Sequence, residues 1–174
     1  MNALTEHLAG GESASHAGVA PALHVLRRTG RKAVRFTGWH IVEARGGEQG
    51  TMWYDLSIYR SIADSIVVEL IARRAELDAQ DMHRVEILPD LRAAANWLEQ
   101  FECGNDVPIA ASLAAGDGPM AACVLQAVQL RQLIARIRDD YQGLLSEVFE
   151  ALDLTDGETP DGADAASPQE QETH

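Results

Sequence analysis

The chain is poor in the features that usually announce an activity. It has two cysteines, Cys103 and Cys123, twenty residues apart. That separation fits no zinc or iron–sulfur pattern, so both read as buried free thiols in a reducing compartment. No stretch approaches the roughly 18 consecutive apolar residues of a transmembrane helix, which excludes a helical membrane span and a membrane partner. Met1 to Gly18 lacks a basic start followed by an apolar segment and does not read as a signal peptide; a cytoplasmic location is the expectation. Lysine is nearly missing. Thirteen of the fourteen basic residues are Arg and only Lys32 is Lys, which together with the Ala richness suggests a GC-rich bacterial genome.

Catalytic signatures are missing too. There is no phosphate loop, dinucleotide fingerprint, nucleophile elbow or zinc pair. Gly46-Gly47 and Gly50 lack a following Lys-Ser/Thr and sit between predicted strands. The pairs His40/Glu43 and His83/Glu86 are three apart in strand-like sequence, and residues three apart on a regular strand point to opposite faces. No catalytic residue, metal ligand or cofactor is therefore assigned. An enzyme would have to assemble its site from distant residues, with His40, His83, Glu69 and Tyr59 as the candidates.

Basic residues are also lacking at the C-terminal end. The net charge of −13 divides into −2 for Met1–Pro21, +1 for Ala22–Arg92, −5 for Ala93–Leu152 and −7 for Asp153–His174. The acidity belongs to the C-terminal half, while the middle is nearly neutral and rich in Arg. Such a distribution bears on solubility and association, not on fold.

What is present is periodicity. From Pro119 to Leu152, spacings of four and three pick out Cys123, Ala127, Leu130, Ile134, Ile137, Tyr141, Leu144, Val148 and Ala151. Every one is apolar or aromatic, which predicts one long helix with a continuous seam. Its thirty-four residues would extend about 50 Å at roughly 1.5 Å per residue. Leu133, Leu145, Phe149 and Leu152 widen the apolar face toward the C-terminal end. A small body cannot cover such a rod, so a homodimer is expected, with Leu130, Ile134, Ile137, Tyr141, Leu144 and Val148 as the interface. The competing arrangement is a helix broken at Gly143 and folded back within one chain.

Upstream the period changes to two. Leu23–Leu26 and Ala33–Phe36 flank Gly30 and read as a hairpin, the second strand running on to Arg45. Phe36 and Trp39 are an odd number apart, so a bulge at Gly38 is expected to turn both aromatics to one side. Met52, Tyr54, Leu56 and Ile58 alternate with polar or aromatic residues, and Ile66, Val68, Leu70 and Ala72 alternate with Val67, Glu69, Ile71 and Arg73 in a β-branched-rich run, giving a hairpin of Trp53–Arg60 with Ser65–Arg74. A shorter strand around Val85 and Ile87 ends at Pro89. Asp90 then stands as an N-cap before Leu91, Ala94, Leu98 and Phe101, one face of a short helix.

The fold expected is α+β, an antiparallel meander of four to five strands followed by a short helix and a long C-terminal helix. Residues 1–21 form a flexible arm with a helical turn at Leu4–Leu8. Residues 22–152 form a single domain, with the sheet over 22–88 and helices over 90–101 and 119–152. Residues 153–174 are a disordered acidic tail. Both the short helix and the start of the long one are expected to cover the sheet.

Three functional readings follow. The first is a small non-catalytic binding or regulatory protein that self-associates through the long helix. The second is a nucleic-acid binder. Arg27, Arg28, Arg31, Lys32 and Arg35 put five positive charges into nine residues around one turn, with Phe36, Trp39, Trp53, Tyr54 and Tyr59 nearby as stacking groups. Against it stands the pairing of these arginines with Glu43, Asp55, Glu69 and Glu86, with the aromatics in the core. In the third, Asp139, Asp140, Glu147, Glu150, Asp153 and the tail present a DNA-like acidic surface to a protein partner.

Overall fold

A computed structural model of the chain describes residues 20–47, 50–76, 80–109, 115 and 119–153. Nearly all of the N-terminal arm, the turn at Leu4–Leu8, and the tail beyond Asp153 lie outside the described residues. Five strands, β1 (Ala22–Leu26), β2 (Val34–Arg45), β3 (Met52–Ser61), β4 (Ile66–Arg74) and β5 (Met82–Leu88), pair in sequence order as one antiparallel meander. Helix α1 (Leu91–Glu99), a 3₁₀ turn (Cys103–Asp106) and helix α2 (Met120–Ala151) follow. The arrangement is the α+β order that the change of period implied.

Alternation along the strands builds two cores. Met52, Tyr54, Leu56 and Ile58 of β3 and Ile66, Val68, Leu70 and Ala72 of β4 point to the helical side. There they meet Ala94 and Leu98 of α1 and Ile137, Tyr141, Leu144, Leu145 and Val148 of α2. Asp90 caps α1, its carboxylate accepting from the Ala93 amide at 2.7 Å. The Tyr141 hydroxyl donates to the Leu98 carbonyl at 2.9 Å, tying α2 to α1. The rings of Tyr54, Phe101 and Tyr141 pack with centroids 5.3–5.8 Å apart where the elements meet.

The second core lies on the opposite face. Leu26, Tyr59, Val67 and Val85 are buried there, with Val34 and Phe36 against them. They are covered because the turn after β1 crosses to the far edge of the sheet. Thr29 donates its amide to the His83 carbonyl at 2.9 Å, and the His83 amide donates to Thr29 Oγ1 at 2.9 Å. A turn from one edge strand is thus pinned to the other edge strand, and the sheet coils over its own second face. This explains why β4 is apolar on both sides: Val67 and Val68 are each almost fully buried.

Two local expectations are corrected. The register shift in β2 lies between His40 and Val42, at Ile41, and not at Gly38. Phe36 and His40 both contact the Tyr59 ring, so Trp39, adjacent to His40 on the regular part of the strand, faces the other side from Phe36. Gly38 is required for a different reason. A Cβ there would overlap the Arg60 carbonyl of β3. Gly38→Ala should therefore cost about 2 kcal/mol or more of stability, as backbone has to move to admit the methyl group; urea unfolding checks it, and an unchanged midpoint would contradict the close approach.

The second correction concerns α2. The helix runs unbroken through Gly143, where nothing lies within 4 Å of a built Cβ and where the residue faces solvent. But the start of the helix does not cover the sheet. Its buried residues run from Ile137 to Val148, and none of residues 120–129 is buried. The C-terminal half packs on β2, β3, the 3₁₀ turn and α1.

Candidate functional site

Two surfaces carry features that the packing of the core does not use. One is the N-terminal half of α2. Met120 is 80% exposed, and Val124, Leu125 and Val128 are exposed as well. At about 100° per residue, Met120, Val124 and Val128 share one side, Leu125 falls on another, and Cys123, Ala127 and Leu130 on a third. From Pro119 to Leu130 the only polar side chains are Gln126 and Gln129, and no residue is charged. A helix apolar on most of its surface belongs in an interior; here Met120, Val124, Leu125 and Val128 are exposed.

The six residues expected to join two copies are placed mostly inside one chain. Ile137, Tyr141, Leu144 and Val148 are buried against the chain's own sheet and α1, and Leu130 and Ile134 are half-buried beside them. The seam was read in the right phase, but its second half closes the core of its own chain. The open apolar surface is the part before it, Met120 to Val128. Its signal was present in the sequence as the lack of any charged residue from Pro119 to Leu130, which a search along a single stripe passes over.

The other surface is a cleft of about 250 Å³ between the β1–β2 turn and β5, lined by Arg28, Thr29, Arg31, His83, Arg84, Val85 and Glu86. Of the five cations expected to make an anion-binding surface, Arg28 and Arg31 line it. Arg27, Lys32 and Arg35 are exposed on the same hairpin outside it. Arg28 lies 3.8 Å from Glu86, and Arg27, Arg31, Lys32 and Arg35 make no ion pair among the described residues. The remaining arginines of the sheet are mostly engaged. Arg45 pairs with Glu43, Arg60 with Asp64, Arg73 with Asp55 and Asp81, and Arg84 with Asp106. His83, Arg84 and Glu86 could not be assigned to this cleft from sequence, because only the long-range docking of Thr29 brings the turn to β5.

Of the five aromatics expected as stacking groups, Tyr54, Tyr59 and Phe36 are used in packing, while Trp39 and Trp53 are half-buried. Tyr54 lies in the first core and Tyr59 in the second, where His24, Phe36 and His40 surround its ring at centroid distances of 4.8–5.6 Å. This face also gathers the four enzyme candidates. His40 touches Tyr59, and Glu69 Oε1 lies 3.7 Å from His83 Nδ1. The bulge at Ile41 places His40 opposite Tyr59 and Glu43 opposite Ser57, so His40 and Glu43 share a face, contrary to the regular-strand expectation. His83 and Glu86 stay on opposite faces, facing Ile71 and Val68 across the ladder. Among the described residues no three His, Cys, Asp or Glu side chains gather as a metal ion would need, and no helix is long and apolar enough to cross a membrane.

Burial raises the Tyr59 phenol above its ordinary value. Burial likewise pushes the Glu69 carboxyl up, partly countered by His83 and Arg73. A carboxyl raised on folding binds its proton more tightly in the native state. Its contribution to stability is therefore lost as pH rises from 4.5, its unfolded value, through the folded value. Glu69→Gln removes this loss. The stability of the Gln variant relative to the natural chain should grow across that window, measured by urea unfolding at a series of pH values; a difference independent of pH would contradict the assignment.

No family model, curated protein or solved structure matches this chain.

Proposed function

We propose that the protein is a non-catalytic binding protein whose copies join through the N-terminal half of α2. The observation that supports this most is the exposure of Met120, Val124, Leu125 and Val128 within the uncharged stretch Pro119–Leu130, at the head of an otherwise well-packed helix. The occupant is a second copy of the chain. The acidic C-terminal half of the chain repels its own kind, and this uncharged stretch is a place within it where two copies meet without opposing like charges. Two-fold pairing of identical apolar segments needs no complementary charge pattern. Each fully buried Val, Leu or Met side chain contributes about 1.5–3 kcal/mol, so four such side chains from each copy suffice for a stable pair. The sheet-and-helix bodies then stand at the two ends of a shared helical centre.

Sedimentation equilibrium over a wide concentration range tests the reading. A mass rising toward twice the 18.9 kDa of the chain is the expected result. A mass of one chain at every concentration refutes it.

A further inference from the structure

The cleft beside the β1–β2 turn is a second feature, independent of α2. We propose that it binds a small phosphate-bearing molecule, a phosphomonoester in which the dianionic head is held by Arg28 and Arg31.

The charge placement argues for an anion. Arg27 to Arg35 carries five cations and no acid in nine residues, within a chain of net charge −13. Two of the five, Arg28 and Arg31, face the same cleft. Arg28 is ion-paired with Glu86 at 3.8 Å, beyond hydrogen-bonding distance, so a phosphate dianion competes with that one carboxylate for it; the Arg28 side chain is three-quarters covered. Arg31 is exposed and makes no ion pair among the described residues. A guanidinium offers a planar fork of donors that matches phosphate oxygens. On the other wall Arg84 is fixed by two hydrogen bonds to Asp106, so its charge is already answered and it serves as a rigid wall.

The walls are set in place by the fold. Thr29 is locked to the β5 backbone through both its amide and its hydroxyl, so the turn that presents Arg28 and Arg31 is anchored at its middle. Gly30 beside it has φ of 72°, the left-handed conformation that reverses the chain between the two arginines.

Size and surroundings narrow the class. A cleft of about 250 Å³ lies below the roughly 300–1,000 Å³ of sites for drug-sized ligands, so it takes a compact anion. Single-stranded nucleic acid relies on aromatic platforms for its bases, whereas among the described residues no Phe, Trp or Tyr lines this cleft. The cleft therefore offers a phosphate site without a base-stacking floor.

Isothermal titration of the full chain tests this, with inorganic phosphate, a sugar phosphate and a single-stranded oligonucleotide as probes at one fixed ionic strength. The sugar phosphate should bind, and Arg31→Ala should weaken it about tenfold or more, as expected for loss of a charge-assisted bidentate contact. Lys32→Ala, outside the cleft, should change it by less than about twofold. Arg31 is exposed, so its variant should keep the thermal midpoint of the natural chain. No heat from either phosphate probe at millimolar concentration overturns the proposal, as does sugar-phosphate binding that Arg31→Ala leaves unchanged. Tighter binding of the oligonucleotide than of the sugar phosphate overturns it in favour of nucleic acid. None of these results depends on the solution mass that tests self-association.

Discussion

Replacing Asp106 with Ala should remove about 3–5 kcal/mol of stability, the cost of breaking a buried ion pair by deleting one partner. Asp106 sits at the end of the 3₁₀ turn and is buried. Its carboxylate accepts two hydrogen bonds from the Arg84 guanidinium and one from the Tyr54 hydroxyl at 2.8 Å. The same hydroxyl lies 3.0 Å from the Cys103 carbonyl. The guanidinium of Arg84 is also 5.1 Å from the centre of the Phe101 ring. Without Asp106, a cation two-thirds covered stands against an aromatic ring and a buried phenol loses a partner. Burial, followed by the hydrogen bond to Asp106, pushes that phenol far above its ordinary ionisation range, so Tyr54 stays a neutral donor at any working pH. Asp106→Asn keeps an oxygen for Tyr54 but no charge for Arg84, and should lose less than the Ala variant. Urea unfolding measures both. Against the 5–15 kcal/mol total of a typical domain, an Ala variant within about 1 kcal/mol of the natural chain would show that this network does not hold the turn to the sheet.

The second large effect separates the two halves of α2. Ile137→Asp puts a carboxylate where the side chain is 2% exposed against β3 and the 3₁₀ turn. It should destabilise the fold by about 4 kcal/mol or more, since an unpaired charge replaces a packed side chain. Leu125→Asp with Val128→Asp adds the same chemistry about three turns earlier on exposed positions. That double variant should unfold at nearly the urea concentration of the natural chain. It should nevertheless weaken the pair at least 100-fold, because four carboxylates are then brought to one apolar contact. Dissociation without unfolding in one variant, and unfolding in the other, is the pattern expected. The opposite pattern would place the joint in the C-terminal half.

The order of elements was legible because each rests on local chemistry. Period two in β3 and β4, the Asp90 cap and the long run of spacings four and three in α2 are written within a few residues of where they act. The bulge was misplaced because Gly38 marks a close approach of β3, which a sequence cannot distinguish from a bulge glycine. The second core and the cleft were not legible at all. Both depend on Thr29 reaching His83, fifty-four residues away, across the width of the sheet. The same docking decides which cations of the Arg27–Arg35 segment enter a cleft and which point to solvent. For α2, the periodicity identified a seam but not where the sheet beneath it ends. Tyr141 and Val148 lie over the sheet and Val124 does not.

Amide hydrogen exchange along α2, recorded at a low and a high protein concentration, bears most directly on the division of this helix. Amides from Ile137 to Val148 should be slow and indifferent to concentration, because the chain's own core protects them. Amides from Cys123 to Gln129 should exchange quickly in dilute solution and slow markedly in concentrated solution, as pairing adds its free energy to the helix. Identical rates for Cys123–Gln129 at both concentrations would contradict the account.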